Sequence, residues 1–307
     1  MILTVTLNPA IDKTVFADRL VFEDRAYIVS RTESAGGRGL NASAVLHAWG
    51  ADTLAIVPSG GDSGQRFQAD LARLGFPYEI VPIQASIRSN LIITDRGGLT
   101  VKLNEPGAAL SDQELETLAT TVRKHLPGAA WLLLCGSLPP GVPSSFYRRL
   151  IAEARAHGVK TLLDTDGDVL QDGLIEAPAV VTPNRQEAAT LLNRSLITRQ
   201  HFRAAAQRIR EMGAESVILS LGSRGAIGAV DGDLFEAIPP RVDAVCPIGA
   251  GDAMNAAFAW AMTQKHDFAD AVKWAVAAGT ASATLPGLQF ASLDQARELY
   301  RFIDLKG

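Results

Sequence analysis

The chain has 307 residues, of which 47% are hydrophobic and 20% charged, so it is long enough to bury the core of one large domain. Its formal net charge is −4 and it has no long run of lysine or arginine, so the electrostatic footprint of a nucleic-acid-binding protein is missing. The longest purely apolar stretches, such as 129–135, are far shorter than the ~20 residues of a membrane span, and Pro9 and Asp12 interrupt any signal-peptide pattern. We therefore expect a cytoplasmic protein that binds neither nucleic acid nor membrane.

The hydrophobic pattern alternates between two kinds of segment. Short apolar runs bounded by Gly, Pro or Asn predict buried parallel strands, and apolar residues at three- and four-residue spacing predict helices. In chain order we predict a strand at 2–7, helices at 41–49 and 113–125, a strand at 131–136, a helix at 144–157, strands at 161–164 and 179–182, helices at 186–193 and 200–212, a strand at 217–221, and helices at 251–264, 268–284 and 293–303. This alternation predicts a single α/β domain over 1–307, with a doubly wound, mainly parallel sheet flanked by helices.

Two regions, 13–34 and 87–104, break this alternation. In the second, apolar residues alternate on both sides of the turn sequence 95–98, which predicts a hairpin. Strands that leave an α/β sheet and return without a helix are well placed to form a small β-sheet lid over a substrate. Because exposed strand edges pair readily, the lid strands are also candidate contacts for a homodimer.

A glycine-rich turn at 247–251 runs directly into an apolar helix. The backbone amides of Gly249, Ala250 and Gly251 would form an anion site at the helix N-terminus, able to stabilise charge on a phosphoryl group during transfer. The carboxylate of Asp252, beside that site, could take the proton from an attacking hydroxyl. The alternative is that the glycines only form a tight turn and Asp252 is a favourable acid in a first helical turn.

Six segments, in the same order, resemble motifs of the PfkB-type (ribokinase-like) sugar kinases: 1–12, 36–41, 136–141, 183–187, 220–225 and 249–252. The first is similar to the opening of 1-phosphofructokinases and tagatose-6-phosphate kinases, and 136–141 is similar to a loop of that branch. Arg38 stands where the N-terminal Gly-Gly-Lys-Gly-x-Asn signature has lysine, and Pro247 stands where threonine is more common. The resemblance implies a ribokinase-like fold and a kinase that uses ATP and Mg²⁺.

The resemblance also assigns roles on the sugar side of the site. Asp12, Gly36, Gly37 and Asn41 match residues that hold the hydroxyls of the sugar, and Ser137 lies in a loop that we place among the substrate-binding residues. Glycines let the backbone approach a polyhydroxylated ligand closely. Without the resemblance, an ordinary loop acid and a polar residue in a first helical turn would be the preferred interpretations.

On the nucleotide side, Asn184 and Glu187 match an Asn-x-x-Glu pair that organises Mg²⁺ beside the triphosphate, with Glu187 acting through water. The same spacing is typical of a helix capping box, and both interpretations are compatible. Ser220, Gly222 and Gly225 match the loop that faces the nucleotide. Otherwise they would form only a turn between two strands.

The resemblance places a second phosphate site on the lid. Arg88, Asn90 and Lys102 match lid residues that grip a phosphate already present on the sugar, and Arg25 and Arg38 are possible additions. An arginine fork and a lysine charge on neighbouring strands suit a dianion. The alternative is that Arg88 and Lys102 are solvated charges that protect an edge strand.

The sequence therefore predicts transfer of the γ-phosphoryl group of ATP to the C1 hydroxyl of tagatose 6-phosphate or fructose 6-phosphate. One alternative is a 1-phosphofructokinase acting on fructose 1-phosphate, which the N-terminal segment fits equally well. A second is a sugar-phosphate sensor with a kinase fold, although a sensor has no need of Asp252, Asn184 and Glu187. A dinucleotide-binding protein is disfavoured because the first strand ends in Asn8-Pro9 and not in a Gly-x-Gly-x-x-Gly turn.

Overall fold

The computed structural model describes residues 1–21 and 23–307. Its strands are β1 (Ile2–Val5), β2 (Ala10–Ala17), β3 (Ile28–Gly36), β4 (Thr53–Gly60), β5 (Tyr78–Ile83), β6 (Arg88–Asp95), β7 (Thr100–Asn104), β8 (Trp131–Cys135), β9 (Lys160–Asp164), β10 (Val180–Val181), β11 (Ser216–Ser220), β12 (Ala226–Val230), β13 (Asp233–Ile238) and β14 (Asp304–Lys306). Its α-helices are α1 (Arg38–Ala48), α2 (Gly61–Arg73), α3 (Asp112–His125), α4 (Ser145–Ala156), α5 (Gly167–Leu174), α6 (Arg185–Leu191), α7 (Arg199–Glu211), α8 (Ala250–Thr263), α9 (Phe268–Ala283) and α10 (Leu293–Tyr300). None of the helices in this described part is both long and apolar enough to cross a bilayer.

Within these residues, ten strands form the main sheet in the order β14-β13-β12-β11-β10-β9-β8-β1-β4-β5. The strands from β11 to β5 are parallel to one another, and β12, β13 and β14 add an antiparallel edge. The central strand β8 is buried at every position, as expected of a strand that helices cover on both faces. The prediction of a mainly parallel sheet flanked by helices is confirmed.

Strand β1 lies between β4 and β8 in the sheet. The strands of this sheet that follow β1 in the chain are therefore added first on one side of it and later on the other. In an open α/β sheet, such a switch point leaves a crevice at the carboxyl ends of the strands, where ligands bind. Here β9 ends at Asp164, and the chain segment after β1 leads into the lid. The sheet topology therefore directs the polar ends of several strands toward one region.

The lid is a separate four-stranded sheet in the order β3-β2-β6-β7. The predicted hairpin lies between β6 and β7, where the amide of Gly98 donates to the carbonyl of Asp95 at 3.0 Å and Gly98 adopts a φ of 84°. The small separate sheet expected as a lid is present, and its strands lie at 10–17, 28–36, 88–95 and 100–104. Residue 22, inside the predicted lid segment 13–34, lies outside the described residues.

Several elements were not predicted from the sequence: β4, α2, β5, α5, β12, β13 and β14. Glycine or proline weakens the local signal in most of these elements, as in β4 with Pro58 and α2 with Gly61 and Gly64. In β12, Gly228 leaves room for the ring of Phe235 on the neighbouring strand. Pairing with adjacent strands decides the five strands among these elements, and except for the hairpin of β12 and β13 that information is not local.

Candidate active site

Asp252 lies in the first turn of α8, where a left-handed residue starts the helix. Gly249 is the N-cap with a φ of 79°, and a side chain at that position would also crowd Leu288 and Phe290. Asp252 is buried, and its Oδ2 accepts a hydrogen bond of 2.6 Å from the Nδ2 of Asn41. Burial and the nearby charge of Asp164 raise the pKa of Asp252 to about 7.

A carboxyl group with a pKa near neutrality can both accept and release a proton at physiological pH. Asp252 borders a cavity of about 310 Å³ together with Gly249, Gly251 and Lys102. Among the three amides expected to stabilise charge, that of Ala250 donates to the carbonyl of Pro247 at 3.3 Å. Gly249 and Gly251 both border the cavity, so the predicted anion site lies next to the candidate base.

Asp12 and Asn90 lie side by side on the lid, because β2 and β6 pair in parallel with these residues in register. The Nδ2 of Asn90 donates to the Oδ1 of Asp12 at 2.8 Å, and the Oδ1 of Asn90 is buried without a partner. Burial raises the pKa of Asp12, although Asn90, Arg88 and Lys102 oppose that shift. A Cβ at Gly36 would overlap the Asp12 carboxylate, which explains why glycine is needed there.

The other residues expected near the sugar take specific places around this pair. Gly37 caps α1 with a φ of 142° that favours glycine, and Asn41 lies one turn into that helix. Asn41 therefore contacts the candidate base directly, in addition to its predicted place near the sugar. Ser137 accepts a hydrogen bond of 3.2 Å from the side chain of Asn8.

Arg88 and Lys102, the predicted phosphate ligands, do not border the same cavity. Lys102 borders the cavity that contains Asp252, whereas Arg88 borders a narrow crevice beside Asn8. The Arg88 guanidinium donates to the carbonyls of Glu105 at 2.8 Å and Asn8 at 3.0 Å, and its Nε is buried without a partner. Through these two bonds Arg88 connects the segment that enters the lid, at Asn8, with the segment that leaves it, at Glu105. Arg25, the further candidate, is exposed.

The capping box expected at 184–187 is present at the start of α6. The Oδ1 of Asn184 accepts from the amides of Gln186 (2.8 Å) and Glu187 (3.0 Å), and the Oε2 of Glu187 accepts from the amide of Asn184 at 2.8 Å. Burial raises the pKa of Glu187. The Oε1 of Glu187 remains on the cavity side, and with Asp164 it supplies the hard oxygen donors that suit Mg²⁺.

A second and larger cavity, of about 840 Å³, adjoins the first. It contains all three residues of the predicted nucleotide loop, Ser220, Gly222 and Gly225, and it shares Asn184 and Gly251 with the first cavity. Gly225 has a φ of 88°, and a Cβ there would overlap the carbonyl of Ala237. Because they share lining residues, the two cavities together lead from the loop around Ser220 to Asp252.

Sequence reasoning missed two residues at the centre of the site. Asp164 is buried at the end of β9, where its Oδ1 accepts from Arg38 at 2.9 Å and its Oδ2 accepts from the Nδ2 of Asn255 at 2.9 Å. An acidic residue at the carboxyl end of a predicted parallel strand was the available signal for Asp164. Asn255 lies three residues after Asp252, on the same face of α8.

Comparison with known proteins identifies the family. The family model described as "pfkB family carbohydrate kinase" matches residues 5–296. The "ATP-dependent 6-phosphofructokinase isozyme 2" of Escherichia coli K12 is 31% identical over 98% of both chains, and a "1-phosphofructokinase" of Xanthomonas campestris is 33% identical over 85% of this chain and 83% of its own. The crystal structure of phosphofructokinase-2 from Escherichia coli in complex with fructose-6-phosphate superposes with a TM-score of 0.90 at 30% identity, covering 98% of both chains.

The predicted ribokinase-like fold and the resemblance to PfkB-type kinases are thus confirmed, and a phosphotransferase is the class of enzyme that they support. The chain belongs to the pfkB family of carbohydrate kinases.

Proposed function

We propose that this protein transfers the γ-phosphoryl group of ATP to the C1 hydroxyl of a ketohexose 6-phosphate, either fructose 6-phosphate or tagatose 6-phosphate, and so forms the 1,6-bisphosphate. The observation that carries the proposal is the position of Asp252. This carboxyl group has a pKa near 7 and lies at a helix N-terminus, inside a cavity that a lid lysine also borders. A base beside an anion site is what phosphoryl transfer to a hydroxyl requires.

The ionised carboxylate of Asp252 takes the proton of the C1 hydroxyl as the oxygen attacks the γ-phosphorus. The bond from that phosphorus to the bridging oxygen breaks, ADP leaves, and Asp252 later returns the proton to solvent. Asn41 holds one carboxylate oxygen at 2.6 Å, which leaves the other free to face the hydroxyl. Holding the reacting groups in this geometry removes most of the entropy cost of bringing them together.

The protein supplies positive potential where the phosphoryl group passes. The first amides of α8, around Gly249 and Gly251, face the cavity with the positive end of the helix dipole, and Lys102 adds a full charge from the lid. Bound Mg²⁺ would neutralise charge on the phosphate oxygens. Glu187, the last residue of the capping box, would bind water molecules of the hydrated ion.

The lid residues orient the sugar. Asp12 has a carboxylate oxygen beside the unpartnered Oδ1 of Asn90, a pairing that suits sugar hydroxyl groups as donors. Lys102, whose charge acts on Asp12, would hold the 6-phosphate, and Arg88 would position the lid strands beside it through its bonds to the carbonyls of Glu105 and Asn8. In this arrangement the lid selects the phosphorylated sugar, while Asp252 on the main domain takes the proton of the attacking C1 hydroxyl.

The direct test measures ADP release with Mg-ATP against fructose 6-phosphate, tagatose 6-phosphate, fructose 1-phosphate, fructose and ribose. We expect selective turnover of one or both 6-phosphates. Turnover of free sugars alone would remove the lid phosphate site from the proposal. If none of the five compounds led to ADP release, the sensor alternative would be favoured.

A second candidate is phosphorylation of fructose 1-phosphate, and the 33% identity to a 1-phosphofructokinase favours it over other rivals. Lys102→Ala separates the two candidates. We expect this variant to raise the KM for 6-phosphates and to leave the KM for unphosphorylated fructose unchanged. No change for 6-phosphates, together with turnover of fructose 1-phosphate, would favour the second candidate.

We also propose that two copies pair through the lid. The edge strand β3 carries exposed apolar side chains at Ile28 (63% exposed) and Val29 (51%), and Leu103 on the opposite edge strand β7 is 56% exposed. Unpaired strand edges with apolar side chains associate readily. Light scattering should give the mass of a dimer, and Val29→Lys should lower it to that of a monomer.

A further inference from the structure

Arg38 lies among three carboxylates, and the proposed mechanism gives it no role. Its Nη1 is 2.9 Å from the Oδ1 of Asp164, and its Nη2 is 3.5 Å from the Oε1 of Glu187 and 3.8 Å from the Oδ2 of Asp166. The guanidinium borders the same cavity as Asp252. One cation therefore links acids that come from β9, from the loop after it and from α6.

Two of these acids are held in the same way, with one oxygen fixed by the protein and one facing Arg38. The Oδ2 of Asp164 accepts from Asn255 at 2.9 Å, and the Oε2 of Glu187 accepts from the amide of Asn184 at 2.8 Å. Neither carboxylate can rotate away without losing its fixed hydrogen bond. The oxygens that contact Arg38 are thus the ones available to a cation in this part of the cavity.

Three carboxylates this close together repel one another, and the guanidinium of Arg38 is the positive charge that contacts all three. In the described part of the chain, no group of three or more acidic, histidine or cysteine side chains is arranged to hold a metal ion. The guanidinium occupies the space between these carboxylates.

Arginine suits this position better than lysine does. A planar guanidinium presents donors in a fixed fork and reaches oxygens on several sides, whereas an ammonium is a compact charge on a flexible stem. The two terminal nitrogens of Arg38 contact different acids: Nη1 contacts Asp164, and Nη2 contacts Glu187 and Asp166. A lysine here would leave at least one of the acids without a partner.

We propose that Arg38 is an internal counter-cation that keeps divalent metal out of the Asp164–Asp166–Glu187 cluster until a nucleotide binds. The phosphates of the nucleotide compete for the guanidinium and release the carboxylate oxygens, so that the metal enters with the nucleotide. This inference rests on the proposed function in one respect, namely that the cluster serves a metal-bound nucleotide. The proposal gives Arg38 a positioning role, because its contacts with the carboxylates determine when the metal can bind.

The experiment titrates Mn²⁺ into nucleotide-free protein and follows the free ion by electron paramagnetic resonance. We expect Arg38→Met to bind Mn²⁺ at least about tenfold more tightly than the wild type, because a unit charge close to the ion is removed. Arg38→Lys should lie between the two. Arg199→Met, which breaks an ion pair with Glu236 far from the cavity, is the matched control and should behave as the wild type. A non-hydrolysable ATP analogue should bring all four proteins within about threefold of one another.

Equal Mn²⁺ affinity of the wild type and Arg38→Met without nucleotide would overturn the proposal. So would a gain in affinity that persists when Glu187→Gln is added to Arg38→Met, because the metal would then bind elsewhere. If Arg38→Met does not fold, Arg38→Lys decides, and wild-type affinity in that variant overturns the proposal. The titration requires neither a sugar nor turnover. A negative result would therefore overturn the role of Arg38 without bearing on the proposed substrate.

Discussion

Replacing Asp252 with asparagine should slow turnover by orders of magnitude and stabilise the protein at the same time. The folded protein raises the pKa of this carboxyl group from 3.8 to about 7. Below pH 3.8 both the folded and the unfolded chain hold the proton. Between pH 3.8 and about 7 the unfolded chain releases the proton while the folded protein keeps it, so ionisation of Asp252 lowers the free energy of unfolding as the pH rises.

The size of the effect follows from the difference between these two pKa values. At about 1.4 kcal/mol per pH unit, burying the ionised carboxylate costs the folded state about 4 kcal/mol at pH 8. The amide of Asp252→Asn cannot ionise, and its oxygen can still accept the hydrogen bond from Asn41. We therefore expect the variant to gain about 2–4 kcal/mol at pH 8, and about 2–3 kcal/mol less than that at pH 5.

Urea denaturation at pH 8 and pH 5 measures the stability, and ADP release measures the turnover. We expect a loss of about 10²-fold to 10⁴-fold in turnover, since the amide cannot take a proton. Wild-type kcat/KM should rise with pH and level off above about 7, as Asp252 ionises. The exposed residue Asp231 gives a matched control, because Asp231→Asn should change neither quantity.

Two results would refute this reasoning. If Asp252→Asn gained no stability at pH 8, the carboxylate would not be held at an energetic cost. If the variant kept near-normal turnover, Asp252 would not be the base, whatever its pKa.

Three further substitutions test other parts of the site. Arg88→Met should raise the KM for the sugar phosphate by about tenfold or more and lower the unfolding free energy by about 1–2 kcal/mol, because two backbone carbonyls lose their donor; unchanged kinetics and stability would count against both roles. Gly36→Ala should displace the carboxylate of Asp12, so that the sugar KM rises about tenfold while stability falls by about 1–3 kcal/mol, and a normal sugar KM would contradict the overlap. Glu187→Gln keeps the capping box but should need about tenfold more Mg²⁺ for half-maximal rate, and an unchanged Mg²⁺ dependence would place the metal elsewhere.

Local patterns in the chain were sufficient for much of the fold. The run 131–135 is apolar at every position, which predicted a buried strand at 131–136, and β8 spans Trp131–Cys135. The Asn-x-x-Glu spacing predicted a capping box, and both of its hydrogen bonds are present. These features depend on residues within a few positions of one another, so contacts with distant parts of the chain did not change them.

Strands and helices interrupted by glycine or proline could not be found in this way. β4 contains Pro58, and its strand conformation depends on pairing with β1 and β5. At the antiparallel edge, β13 pairs with β14 across 70 positions, between Glu236 and Lys306, whereas β12 and β13 pair across the Asp231-Gly232 turn, a local hairpin signal that sequence reasoning missed. Pairing partners as far apart as Glu236 and Lys306 leave no trace in local periodicity.

The sequence by itself determined the class of the protein through six motifs in order, and it located the candidate base, because a glycine-rich turn before a helix and a following aspartate are local features. Only the tertiary structure decided the electrostatics of that base. Burial and the charge of Asp164 raise the pKa of Asp252 to about 7, while Asn41, 211 positions from Asp252, and Arg38, 126 positions from Asp164, oppose that rise. Charge and burial depend on distances in space, and folding alone sets those distances.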